Sequence, residues 1–167
     1  MRWTAWLLAL ALAASPLAQA GADPAAQVLQ AKALMRAGAA SQPAARALFE
    51  QAAGQGSGAA AYYLGLMLKN GMGGPQDGAA ALRWLELGAR RGVAPAMFIV
   101  ANMLLDSDQE RARFWLDAAC DAQYPEALQQ KSVALAEGLM GYAHSEEQAN
   151  LYLKMATHAM GHRAPEP

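Results

Sequence analysis

The chain is poor in the residues that would make a sheet, a disulfide framework or a catalytic cluster: four valines, one isoleucine, two threonines, one cysteine and three histidines among 167 residues. The shortage of β-branched side chains excludes a sheet-based fold, since those are the residues that pack on a pleated surface. A lone Cys120 excludes an intramolecular disulfide in any redox compartment. An excess of charge of one sign is also missing, because 13 Lys and Arg are interspersed with 14 Asp and Glu. No basic stripe is available for a phosphate backbone, so nucleic acid is not expected as a partner. No apolar run reaches the roughly 20 residues that a spanning helix needs.

What is abundant is alanine, at 42 residues, the strongest intrinsic helix former. Alanine buries little area per residue, so the 54% hydrophobic content overstates the core. The expectation is an all-helical molecule in which small residues let helix backbones approach closely. Residues 1–20 read as a signal peptide: Arg2 precedes the uncharged run Trp6 to Ala14, and Ala18-Gln19-Ala20 fits the small-x-small cleavage rule. Cleavage there would leave a chain beginning at Gly21 and exported to the periplasm or beyond, with no membrane span.

Self-alignment reveals a repeat. Leu48-Phe49-Glu50-Gln51-Ala52-Ala53-Gly54-Gln55-Gly56 matches Trp84-Leu85-Glu86-Leu87-Gly88-Ala89-Arg90-Arg91-Gly92 at an offset of 36. A third copy, Trp115 to Gln123, follows 31 residues later, and a fourth, Tyr152 to Ala156, after another 37. Periods in the thirties with two helices per unit mean stacked helical hairpins. Local signals set the boundaries. Pro24, Pro95 and Pro125 suit first turns, Asp77 is a plausible N-cap, and Ser107-x-x-Glu110 and Ser145-x-x-Gln148 fit capping boxes. The predicted helices are 24–38, 43–54, 58–70, 78–91, 95–105, 108–122, 125–138 and 146–160, paired as four antiparallel hairpins. Small residues at Gly65, Ala101 and Ser132 on one helix, and at Ala52/Ala53, Gly88/Ala89 and Ala119/Cys120 on its partner, let the backbones close. Leu48, Trp84, Trp115 and Tyr152 are expected to fill the space between hairpins.

The stretch Ala60-x-x-x-Leu64-Gly65, Lys69-Asn70-Gly71-x-Gly73, Asp77, Ala81-x-x-Trp84 and Gly88-Ala89-x-x-Gly92 resembles the Sel1-like repeat, a relative of the tetratricopeptide repeat. The resemblance covers about residues 44–160, with 21–43 as an N-terminal helix and linker and 161–167 as a disordered tail. The chain departs from the pattern where the second loop is shorter, where Leu-Gly becomes Val100-Ala101 and then Lys131-Ser132, and where Gln123 replaces Gly92. Polar drift such as Lys131 suits a terminal capping unit. The resemblance implies a right-handed α-solenoid whose first helices line a concave surface. It also implies work as a scaffold or regulator in complexes, and places the exposed partner-binding positions at Tyr62, Tyr63, Leu66, Lys69 and Asn70, then Phe98, Ile99, Asn102 and Asp106, then Gln129 and Gln130. Tyr62, Tyr63, Phe98 and Ile99 can equally be core between hairpins.

No motif points to an enzyme, and no cofactor or metal is expected. His158 and His162 stand four apart but lack a third ligand, and Gly161 should break the helix between them. Glu146-Glu147 suit a helix first turn. Gly71-x-Gly73-Gly74 lacks the Lys-Ser/Thr of a phosphate loop and reads as a turn. Cys120, beside Ala118 and Ala119, reads as a small apolar filler. The sequence therefore points to a non-catalytic periplasmic adaptor or regulator that binds an unidentified protein or peptide segment of the cell envelope. The alternative is a cell-wall protein that binds or hydrolyses peptidoglycan or β-lactam, although secreted relatives of that kind carry a disulfide in each repeat.

Overall fold

The computed structural model describes residues 23–162 and Pro167; the expected signal peptide and most of the expected tail lie outside the described residues. The described part is all-helical. Its helices are α1 (Pro24–Arg36), α2 (Gln42–Gly54), α3 (Gly58–Asn70), α4 (Gly78–Arg90), α5 (Ala94–Leu104), α6 (Gln109–Asp121), α7 (Pro125–Glu137) and α8 (Glu146–Gly161), with a 3-10 turn at Ala39–Ser41 before α2. Each helix packs on its neighbours in the chain, most heavily within the pairs α1/α2, α3/α4, α5/α6 and α7/α8, and this is a solenoid of four antiparallel hairpins. No helix among the described residues is long and apolar enough to cross a membrane.

The caps explain the boundaries. Asp23, Ser57, Asp77, Asp108 and Ser145 each accept a hydrogen bond from a backbone N–H in the first turn of the helix that follows. The expected box at Ser107 is therefore displaced by one residue, because Asp108 caps α6 through Arg111 N at 3.1 Å. Gly161 does not break α8 but ends it, and the His158 and His162 rings stay 4.7 Å apart across its last turn.

The turn between successive hairpins is made the same way three times. Ser57 N donates to Ala52 O at 3.1 Å, Val93 N to Gly88 O at 3.1 Å and Tyr124 N to Ala119 O at 3.0 Å. These bonds reach back across the helix end as in a Schellman motif, whose turn residue is left-handed. Gly56 (φ 91) and Gly92 (φ 84) supply that residue in the first two turns, and Gln123 adopts φ 57 in the third.

Within hairpins the small residues act as expected. A Cβ on Gly65 of α3 would lie 2.6 Å from Leu85 Cγ of α4, so the two helices meet where glycine leaves room. Ala101 is buried at the same position of α5, and Ser132 of α7 is buried with its hydroxyl donating to Ala149 O at 2.7 Å. Of the four large residues expected to fill the space between hairpins, Trp115 is buried, at 9% exposure, while Leu48, Trp84 and Tyr152 are half-buried; the residues one position later, Phe49, Leu85 and Leu116, are completely buried. One residue turns a helix by about 100°, so the tryptophan position lies at the rim of the seam.

The glycine-rich loop from Gly71 to Asp77 is a structural brace. Gly73 has φ 70 and approaches α2 so closely that a Cβ would stand 2.5 Å from Gln42 O. Arg46 Nη1 donates to Pro75 O at 3.2 Å, which holds the loop on the preceding hairpin.

Candidate partner-binding face

The eleven expected partner-binding positions divide sharply. Tyr62 and Tyr63 are buried, at 6% and 4% exposure, and cannot face a partner. Tyr63 stacks on Phe49 with ring centroids 5.1 Å apart and meets Tyr62 edge-on at 5.0 Å, so both rings belong to the seam between the first and second hairpins. The physical reason is volume. The facing helices carry mostly alanine there, and two aromatic rings fill the space that alanines leave. Lys32 of α1 lies 5.0 Å above the Tyr63 ring, and its Nζ donates to Pro167 O at 2.6 Å.

The others remain at the surface. Leu66, Phe98, Ile99 and Gln130 are half-buried, and Lys69, Asn70, Asn102, Asp106 and Gln129 are exposed. Some of these are tied together across helices. Gln130 Nε2 of α7 donates to Asn102 Oδ1 of α5 at 3.1 Å, and Asn102 Nδ2 donates to Phe98 O at 2.9 Å. Phe98 in turn packs on the Tyr124 ring at 5.5 Å. This chain of contacts spans two adjacent first helices and orients the amide heads. Lys69, Asn70, Asp106 and Gln129 are not drawn into it.

The repeat register adds one residue that was not singled out from the sequence. Leu66, Asn102 and Val133 occupy the same position of α3, α5 and α7, and Val133 is 49% exposed. A strip of leucine, amide and valine therefore runs across three hairpins beside Phe98 and Gln130. The signal was present in the alignment, since Val133 is a β-branched apolar residue on a helix whose neighbours at that face are polar.

A second polar cluster lies between α6, α7 and the α7–α8 loop. Lys131 takes the register position of Leu64 and Val100, both buried, and its stem enters the core. Its Nζ donates to Asp117 Oδ1 at 2.6 Å and stands 4.5 Å from the Tyr152 ring and 5.4 Å from the Tyr142 ring. Tyr142 Oη donates to the same carboxylate oxygen at 2.7 Å, and the Arg113 guanidinium stands 4.8 Å from the centre of that ring. Lys131 is thus a satisfied strut within the last two hairpins, and not a solvated capping residue. Burial disfavours its ammonium, but the hydrogen bonds to Asp117 and Tyr152 outweigh that, and its pKa is raised. Burial likewise raises Tyr142, with Asp117 reinforcing it, and pushes the Cys120 thiol up to about 12. Each of these groups holds its proton at neutral pH. Cys120 is 2% exposed, and a buried, protonated thiol is a packing group and a poor nucleophile.

No model of a known protein family matches the chain. Over 122 residues it is 30% identical to an uncharacterized protein of Neisseria meningitidis serogroup B, covering 73% of this chain and 25% of that one. Among solved structures, it is similar to a Sel1 repeat protein from Oxalobacter formigenes, with a TM-score of 0.73, 22% identity, and coverage of 81% of this chain and 58% of that one. A protective antigen of uropathogenic Escherichia coli that displays an SLR fold matches with a TM-score of 0.45 and 19% identity, over 80% of this chain and 38% of the antigen. The chain spans a quarter of the length of its curated relative and somewhat over half that of the Oxalobacter protein. The hairpin order, the glycine at the helix seam and the overlap with the Oxalobacter protein agree, and the chain is built on the Sel1-like repeat fold.

Proposed function

We propose that the chain is a non-catalytic adaptor or regulator of the periplasm that holds a segment of a partner protein on the face formed by α3, α5 and α7. The observation that carries this reading is the strip of Leu66, Phe98, Asn102, Gln130 and Val133. It combines half-exposed apolar groups with amides already oriented by hydrogen bonds to one another. An extended segment suits such a surface, because its backbone can bond to the Asn102 and Gln130 heads while alternate side chains cover Phe98 and Leu66. Pre-oriented amides lose less freedom on binding than free ones. Export rests on the leader-like residues 1–20, and a protein-binding role rests on analogy with the fold, which by itself does not determine function.

The test is photo-crosslinking in cells from a probe at Phe98 and another at Asn102, with exposed Arg83 of α4 as the control. A discrete partner protein captured from Phe98 and Asn102, and absent from Arg83, is the expected result. Capture no different from the control refutes the binding face. Saturable binding of a muropeptide or labelled β-lactam by the purified chain, with no protein captured, replaces the adaptor reading with a cell-wall one.

A further inference from the structure

The 13 Lys and Arg and the 14 Asp and Glu nearly balance over the whole chain, but the fold does not spread them evenly. Residues 23–92, which build the first two hairpins, hold seven Lys and Arg against four Asp and Glu. Residues 93–162, which build the last two, hold four against nine. A solenoid keeps sequence order in space, because each hairpin packs on its neighbours in the chain. The imbalance along the sequence is therefore an imbalance along the stack, cationic in its first half and anionic in its second.

On the first helices the imbalance falls on one register position. The residues that cap the starts of α1, α3, α5 and α7 are Asp23, Ser57, Val93 and Tyr124, and thirteen residues after each stand Arg36, Asn70, Asp106 and Glu137. All four are exposed. They follow Lys32, Leu66, Asn102 and Val133 by four residues, one helical turn, and so flank the strip assigned to partner binding on the same face. α1 continues that face, since Lys32 lies 5.0 Å from the centre of the Tyr63 ring of α3. Charge thus runs from a cation through an amide to two carboxylates, and exposed Lys69 beside Asn70 reinforces the cationic side. Arg36, Lys69, Asp106 and Glu137 form no ion pair among the described residues, whereas Glu86, Asp108 and Asp117 do.

Resting on the reading of this face as a protein-binding site, we propose that the partner segment is itself bipolar, with Asp or Glu at the end that lies over α1 and α3 and Lys or Arg at the end that lies over α5 and α7. A segment of one charge sign is attracted at one end of the face and repelled at the other. A bipolar segment is attracted at both, and turning it round sets like charges together. The gradient therefore selects partner and direction more than it adds affinity. Neighbouring helices ~10 Å apart put Arg36 and Glu137 roughly 30 Å from each other. An extended segment covers that span in roughly nine residues.

Fluorescence anisotropy with the purified chain tests the proposal, using synthetic peptides about twelve residues long to cover that span. Two block peptides carry three Glu at one end, three Lys at the other and alternating Leu and Ser between, in the two possible orders; a third has the same composition with Glu and Lys alternating. At least one block peptide is expected to bind about tenfold more tightly than the alternating one at low salt, the combined effect of several exposed charge pairs. That advantage should vanish at ~0.5 M NaCl, where exposed charges are screened. Arg36→Glu with Lys69→Glu, and Asp106→Lys with Glu137→Lys, should each cancel it, and the chain carrying all four should regain it with the peptide lying the other way round. The four side chains are exposed, and unchanged helicity by circular dichroism shows that the variants fold; Arg36→Gln with Lys69→Gln and Asp106→Asn with Glu137→Gln serve as milder pairs. Binding of no peptide, equal binding of all three, or an advantage that survives both half-reversals overturns the proposal. So does a salt-labile dimer of the wild type that excludes the peptides, because a second copy then holds the face. In cells, a partner captured from Phe98 equally by the wild type and both half-reversed variants removes the polarity and leaves the binding face standing, whereas no capture by the wild type removes the face itself.

Discussion

Gln123 shows what one residue can cost in a repeated turn. Its φ of 57 places it in the left-handed region, where Gly56 and Gly92 make the equivalent turns with the same backbone bonds. A side chain in that region costs about 1–2 kcal/mol, partly offset by the greater freedom glycine gives the unfolded chain. Gln123→Gly should therefore stabilise the chain by roughly 0.5–1 kcal/mol, read as a higher denaturant midpoint at unchanged slope. A lower midpoint would mean that the glutamine side chain makes a contact worth more than the strain. Lys131 carries a related lesson. From the sequence it reads as polar drift at a terminal repeat, because neither Asp117 nor the two tyrosines that enclose its ammonium is near it in the chain. Only packing of α6, α7 and the Tyr142 loop brings them together.

At the scale of the helix, two alanine-rich cylinders approach closely where one offers a small residue and the other a large one. The small positions were legible in the sequence because they recur at the repeat spacing, and Gly65 against Leu85 bears them out. The large positions were legible to within one residue: tryptophan draws the eye to Trp84 and Trp115, of which only Trp115 is buried, and Leu85 and Leu116 are the completely buried pair. Ala89, at 2% exposure, occupies a place where a larger side chain has no room. Ala89→Leu is expected to destabilise the fold by ~1–3 kcal/mol through overpacking, seen as a lowered thermal midpoint. An unchanged midpoint would contradict the assigned seam. Cap chemistry likewise sets the helix starts, and its one displacement, from Ser107 to Asp108, follows from two adjacent residues that can both cap.

For the whole molecule, the four hairpins separate two kinds of surface. Side faces of the stack carry the amide and apolar strip of α3, α5 and α7, while the end faces carry Leu29 and Leu153. Because these lie on different sides of the repeat, changing the end residues should leave the strip working. The double variant Leu29→Asp with Leu153→Asp is expected to capture the same partner from Phe98 as the wild type, in the same crosslinking measurement. Loss of that capture in a correctly folded double variant would mean that the partner also contacts α1 at Leu29 or α8 at Leu153.

Helix content, repeat spacing, turn positions and the absence of sheet among the described residues follow from local chemistry: alanine abundance, caps, glycines and the scarcity of β-branched residues act within a few residues of where they stand. The fate of the aromatic strip did not follow. Tyr62 and Phe98 occupy the same register position, and both are aromatic residues on a first helix. One is core and the other is half-exposed because burial depends on what the facing helix leaves unfilled, and that is a property of two elements at once. The same holds at the ends of the stack, where Leu153 repeats the chemistry of Leu85 and differs from it only in having no following hairpin among the described residues to cover it.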